Sequence, residues 1–124
     1  MKDNSFLVDY RYDSSADVLA VKVKRDFTYH ETVEMDEGVL LDFDVDNVPV
    51  SLEILDASKR LNVPKYSLRN IFSFNMNVCV DDDCIKIEVT VGVLIHNKQS
   101  DSVLSSLINN YANIPNMETE LATA

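Results

Sequence analysis

Glycine is nearly missing from this chain: Gly38 and Gly92 are the only two in 124 residues. Phosphate-cradling loops and dinucleotide folds need several glycines at fixed offsets, so that class of site is disfavoured. No serine is flanked by glycines in the manner of a nucleophile elbow. Tryptophan is absent, and the only histidines are His30 and His96. His30 lies among acids, with nothing in the pattern to set a nucleophile beside it. No pair of carboxylates stands out as a general acid and base. We therefore expect no catalytic residue and no cofactor. No apolar run approaches the roughly 20 residues of a membrane-spanning helix. The opening Met1-Lys2-Asp3-Asn4-Ser5 lacks the apolar core and cleavage site of a secretory leader, so the chain reads as cytoplasmic, without a membrane partner. A net charge of −10 repels phosphate backbones, which argues against direct nucleic-acid binding.

What is present is apolar residue at period two. The hydrophobic fraction is 46%, enough for a core in one domain of this length. Phe6, Val8 and Tyr10 alternate with Leu7, Asp9 and Arg11, and Leu19, Val21 and Val23 with Ala20 and Lys22. Pairing Tyr10 with Leu19, Val8 with Val21 and Phe6 with Val23 gives a hairpin with one apolar face. A turn at Asp46-Asn47 pairs Phe43 with Val50, Leu41 with Leu52 and Val39 with Ile54. Pro49 cannot donate to a ladder, so its strand should lie at an edge or carry an irregularity. Asp56 is a suitable N-cap for a short helix near 56–61. A further hairpin turns at Asp81-Asp82 and pairs Val78 with Ile85, Met76 with Ile87 and Phe74 with Val89. Phe72 continues the apolar stripe of its first strand. Beyond Ser100-Asp101, the spacing of Val103, Leu104, Leu107, Ile108 and Tyr111 predicts a C-terminal helix near 101–112. The expectation is an α+β fold: antiparallel hairpins in one or two sheets, with that helix on an apolar face. We expect one domain over residues 1–115, with a β part over 10–61 and an appended hairpin and helix over 65–115. Residues 116–124 read as a flexible tail.

Three segments carry a resemblance. They are Tyr12-Asp13-Ser14-Ser15-Ala16-Asp17-Val18-Leu19, the acidic Glu31-Thr32-Val33-Glu34-Met35-Asp36-Glu37-Gly38-Val39, and Asp42-Phe43-Asp44 through Glu53-Ile54-Leu55-Asp56-Ala57-Ser58-Lys59-Arg60-Leu61. Over about residues 10–61 the chain resembles the domain-of-unknown-function family numbered 2283, of the YuzE-like type. Ser14-Ser15 and Asn47 depart from its usual pattern, and residues 65–124 fall outside it. The resemblance implies a small protein with a compact antiparallel sheet and no established catalytic residue. It also implies an antitoxin-like role, since some members are encoded beside small nuclease-like toxins.

Two constellations invite chemistry. Asp42, Asp44, Asp46 and Glu53 fall at positions one, three, five and twelve of a calcium-loop pattern. They lack its glycine and its flanking helices, and in the hairpin Asp42, Asp44 and Glu53 share an outer, solvated face. They are weak metal candidates. Cys79 and Cys84 bracket three aspartates, and the register above sets them directly opposite each other, as free thiols or a redox pair. The acidic surface suits a basic protein partner, and leftover apolar surface suits a homodimer. Three functions are therefore open: a non-catalytic interaction module, a homo-oligomeric accessory protein without a client, and a small metal-dependent regulator or enzyme.

Overall fold

A computed structural model of the chain describes residues 4–124. Met1 to Asp3, part of the opening stretch read above for a secretory leader, lie outside the described residues. The strands are β1 (Ser5–Asp13), β2 (Val18–Val23), β3 (Tyr29–Asp36), β4 (Val39–Asp44), β5 (Pro49–Ile54), β6 (Ser73–Val80), β7 (Cys84–Ile95), β8 (Lys98–Asn109) and β9 (Met117–Ala122). Two single-turn helices, α1 (Ala57–Arg60) and α2 (Lys65–Leu68), lie between β5 and β6. Among the described residues, no helix is long and apolar enough to cross a membrane.

All nine strands form one sheet in the order β3-β4-β5-β2-β1-β9-β6-β7-β8. It curls until its edges approach each other, where the Ser106 hydroxyl of β8 donates to the Met35 carbonyl of β3. Farther along β8, Ser102 donates to the Leu61 carbonyl at the end of α1. The inward residues of the strands and the buried sides of both helices make one hydrophobic cluster, which includes Val8, Leu19, Leu41, Leu52, Leu68, Met76, Val89 and Leu121.

The expected α+β fold with a C-terminal helix is therefore corrected to a mixed, almost all-β sheet. Residues 101–109 are strand. His96 and Asn97 are both left-handed, at φ 50° and 64°, and Ile95 pairs with Lys98. This is a two-residue hairpin turn whose twist sends the chain straight back along β7. In β8, Leu104 and Ile108 point inward with Ser100, Ser102 and Ser106, while Val103 and Leu107 point outward. Apolar residues on both faces, with serines at inward positions, imitate a helical stripe.

The expected tail is also corrected. Met117–Ala122 forms β9, antiparallel to β6 and parallel to β1 through Ser5↔Glu120, Phe6↔Leu121 and Leu7↔Ala122. Leu121 is fully buried.

Two hairpin registers slip by two residues from expectation. The first pairs Val8 with Val23, Tyr10 with Val21 and Tyr12 with Leu19. The other pairs Val78 with Ile87, Met76 with Val89 and Phe74 with Val91. In each case an aspartate organises a four-residue loop, 14–17 or 81–84, by accepting amides: Asp13 from Ser15 and Ala16, and Asp81 from Asp83 and Cys84. A two-residue slip preserves which face each side chain occupies, so the inward sets stand. In the β4–β5 hairpin, Val39↔Ile54 and Leu41↔Leu52 pair as expected, but a bulge after Asp42 sets Phe43 opposite Pro49. β5 lies inside the sheet, so Pro49 is accommodated by that irregularity and not at an edge. Phe72 is 44% exposed and not in the core. Its ring lies over Gly92, where an added Cβ would come within 2.9 Å of it and within 2.2 Å of the Ser73 hydroxyl.

Leu121→Ala tests whether the C-terminal segment is structural. A buried leucine in a central strand should cost about 2–5 kcal/mol on truncation, read as a fall in the denaturation midpoint. A frayed tail would leave that midpoint unchanged.

Candidate functional site

The four carboxylates of the calcium-like pattern do not converge. Asp42 faces outward and accepts the hydroxyls of Thr32 at 2.6 Å and Ser51 at 2.8 Å. Asp44, expected beside it, is turned inward by the bulge and is 2% exposed. Its Oδ1 accepts the amides of Asp46 and Val48, each at 2.9 Å, and its Oδ2 takes Arg25 at 3.3 Å. Asp44 thus builds the turn in which Asp46 is exposed, while Glu53 lies on the outer face opposite Ala20 and Leu40. Among the described residues, no group of three or more His, Cys, Asp or Glu is placed to hold a metal ion.

A second buried carboxylate accepts as many hydrogen bonds as Asp44. Asp17 is left-handed, 7% exposed and placed at the β1–β2 turn. Tyr12 donates to its Oδ1 at 2.6 Å, and so does the Ser58 amide at 3.0 Å; the Ser58 hydroxyl donates to its Oδ2 at 2.7 Å. Its own carbonyl accepts the Ala57 amide. Asp17 therefore caps α1 from 41 residues away. Asp56, the expected N-cap, is left-handed at φ 51° and makes no capping hydrogen bond with its side chain. Burial alone would raise the Asp17 pKa, but the hydrogen bonds from Tyr12 and Ser58, aided by Lys65, hold it below the ordinary carboxylate value. Burial first, and then the bond to Asp17, push Tyr12 up to about 12. The arrangement orients a helix.

The comparisons bear on this geometry. The family model described as "Protein of unknown function (DUF2283)" matches residues 9–58. A protein of Methanosarcina mazei named "Putative hypoxanthine phosphoribosyltransferase" is 32% identical over 115 residues, covering 93% of this chain and 92% of that one. An uncharacterized protein of Methanocaldococcus jannaschii is 33% identical over 103 residues, covering 81% of this chain and 85% of its own. No solved structure matches the chain. The chain belongs to the DUF2283 family. Two of the three segments that carry the DUF2283 resemblance meet at Asp17: Tyr12 and Asp17 come from the first and Ala57 and Ser58 from the last. Most of the DUF2283 match forms one continuous half of the sheet, β3-β4-β5-β2-β1.

The remaining candidates separate. Cys79 pairs with Lys86 and Cys84 with Asn109, so the cysteines are diagonal neighbours and not opposite. Diagonal positions are about 7–8 Å apart, beyond the ~4.4–6.8 Å Cα spacing usual for a disulfide. Partial desolvation, the hydrogen bond to Asp81 and the charges of Asp81 and Asp83 all raise the Cys84 pKa, suppressing its thiolate. His30 is exposed beside Glu31, at 3.6 Å. His96 lies in the β7–β8 turn, its ring 6.5 Å from that of Tyr66. The histidines thus stand apart, one on β3 beside a carboxylate and the other in a turn beside an aromatic ring. A hollow of about 620 Å³ opens on the outer face near Ala20, between Arg11, Lys22, Asp9 and Glu53, whose charges alternate in sign.

The hub makes stability depend on pH in a defined direction. Asp17, with its lowered value, contributes stability above the ordinary carboxylate pKa that is lost as pH falls through its folded value. Tyr12, with its raised value, contributes stability below pH 10 that is lost between about 10 and 12. Asp17→Ala should cost about 0.5–2 kcal/mol at pH 7 as a lost cap. Tyr12→Phe should flatten the alkaline part of the stability profile measured by denaturant titration. For the cysteines, thiol titration after mild oxidation should recover two free groups, with Cys79 labelled before Cys84. An intramolecular disulfide would refute the diagonal placement.

Proposed function

We propose that this chain acts in the cytoplasm as a non-catalytic protein-interaction module. Its acidic sheet face receives a basic partner protein, in the manner of an antitoxin masking its target. One observation carries the reading. Strands β3, β4 and β5 are adjacent and together hold Glu31, Glu34, Asp36, Asp42, Asp44 and Glu53, without a single Lys or Arg. Asp44 is internally paired with Arg25, but Glu34, Asp36 and Glu53 are exposed. Such a one-signed patch steers oppositely charged proteins and selects against acidic ones.

The relative's name would carry over a second reading, phosphoribosyl transfer. That chemistry calls for a backbone cradle around a phosphate. Both glycines are otherwise engaged: Gly92 lies under Phe72, and Gly38 turns at φ 78° against the Arg60 guanidinium. The interaction module fits the residues better.

Tagged protein recovered from its native host at low salt should bring a basic protein with it and lose that protein as salt rises. Glu34→Lys with Glu53→Lys should abolish the capture while leaving the fold intact. Recovery of the chain alone at every salt concentration would end this reading.

A further inference from the structure

The opposite end of the sheet differs in charge. Strands β6, β7 and β8 hold 32 residues with two acids, Glu88 and Asp101, and two bases, Lys86 and Lys98. That region is neutral in a chain of net charge −10, and Lys86 pairs with Glu88 at 3.7 Å. Its outer face is otherwise Ser, Asn, Thr, Cys and Gln, with aliphatic side chains in the open: Val103 is 64% exposed, Leu107 63% and Leu94 40%. Beside them Phe72 covers Gly92. The inward positions already fill the core, so burial within the chain cannot account for the outward valine and leucine.

We propose that this face is the contact between two copies of the chain, packed sheet on sheet. Two copies of so acidic a protein repel each other wherever their charges meet, and this neutral face is where they can approach at least cost. An acidic or basic partner would find no complementary charge here. The size also fits. The 32 residues of these strands, at about 3.3 Å each along strands about 4.8 Å apart, present roughly 510 Å² before side-chain relief is counted. Side-chain relief brings this toward the ~800 Å² per partner of a standard interface. Val103 and Leu107 lie on either side of Ser105 along β8. An antiparallel two-fold through Ser105 sets the valine of one copy against the leucine of the other and keeps Asp101 away from its own counterpart, while Glu88, which lies opposite Ser105 near the axis, is neutralised by Lys86 of its own copy. The contact is built from β6–β8 and uses none of the β3–β5 carboxylates, so it does not depend on the basic-partner reading.

Sedimentation velocity on the wild-type chain, with multi-angle scattering as a second mass measurement, tests the proposal. The expected species is a dimer of the 14.0 kDa chain. Added salt should tighten it by screening the net repulsion, whereas it should release a basic partner. Val103→Glu with Leu107→Glu should weaken the dimer by about 100-fold or more, as expected for losing two buried aliphatic side chains and adding like charges. Glu53→Lys, on β5 two strands in from the β3 edge, should weaken capture of a basic partner and leave the dimer intact, so failure of one reading is distinguishable from failure of the other. Circular dichroism checks the fold. If the glutamate variant is unfolded, Val103→Ser with Leu107→Ser carries the same test. A monomer at every concentration and salt overturns the proposal and leaves this face to another protein. A dimer that persists in the folded double variant overturns it as well.

Discussion

Residues 117–122 must reach back between β1 and β6 before either strand has a partner on that side. β9 is parallel to β1 and antiparallel to β6, and it is the one strand joining the family-like half of the sheet to the β6–β8 half. Parallel pairing to β1 requires the chain to traverse the rest of the fold first, so this contact spans almost the whole sequence. It makes a continuous sheet from what would otherwise be two smaller ones, each with an open edge and too little core of its own. The curl that brings β3 to β8 follows, because a twisted sheet of nine strands rarely stays open and flat.

Within the family-like half, the same logic operates on a smaller scale at Asp17. A single-turn helix cannot sustain itself by propensity. α1 exists because Asp17 satisfies its first amides, its carbonyl accepting from Ala57 and its carboxylate from Ser58, and because Ala57 and Leu61 are buried under the curl. Tyr12 completes the carboxylate's shell. The segments that mark the family are thus the places where β1, the β1–β2 turn and α1 must agree in position. Their chemistry is structural: a buried charge that neutral hydroxyls and an amide can solvate.

The electrostatic division of the surface follows from which strands are neighbours. Six acids without Lys or Arg accumulate over β3–β5, and the balanced strands β6–β8 lie at the far end of the strand order. The residues toward the C-terminus are therefore no mere appendage to a family domain. They supply a surface of different character on the same sheet.

The alternation of apolar residues was sufficient to name the strands of the hairpins and the inward side of each. A period of two is local, and a slip of two residues leaves it intact. Composition likewise disclosed the acidity and the scarcity of glycine. Register escaped, because it depended on Asp13 and Asp81 folding back onto their own turns, a geometry that residue type permits without requiring. The helix-like spacing of Val103 to Tyr111 misled because it assumed one buried face, while β8 is pulled into the sheet by the left-handed His96-Asn97 turn and shows aliphatic residues on both sides. The cap on α1 and the placement of β9 were beyond local pattern altogether: each joins residues far apart in the chain, and only packing brings them to hydrogen-bonding distance.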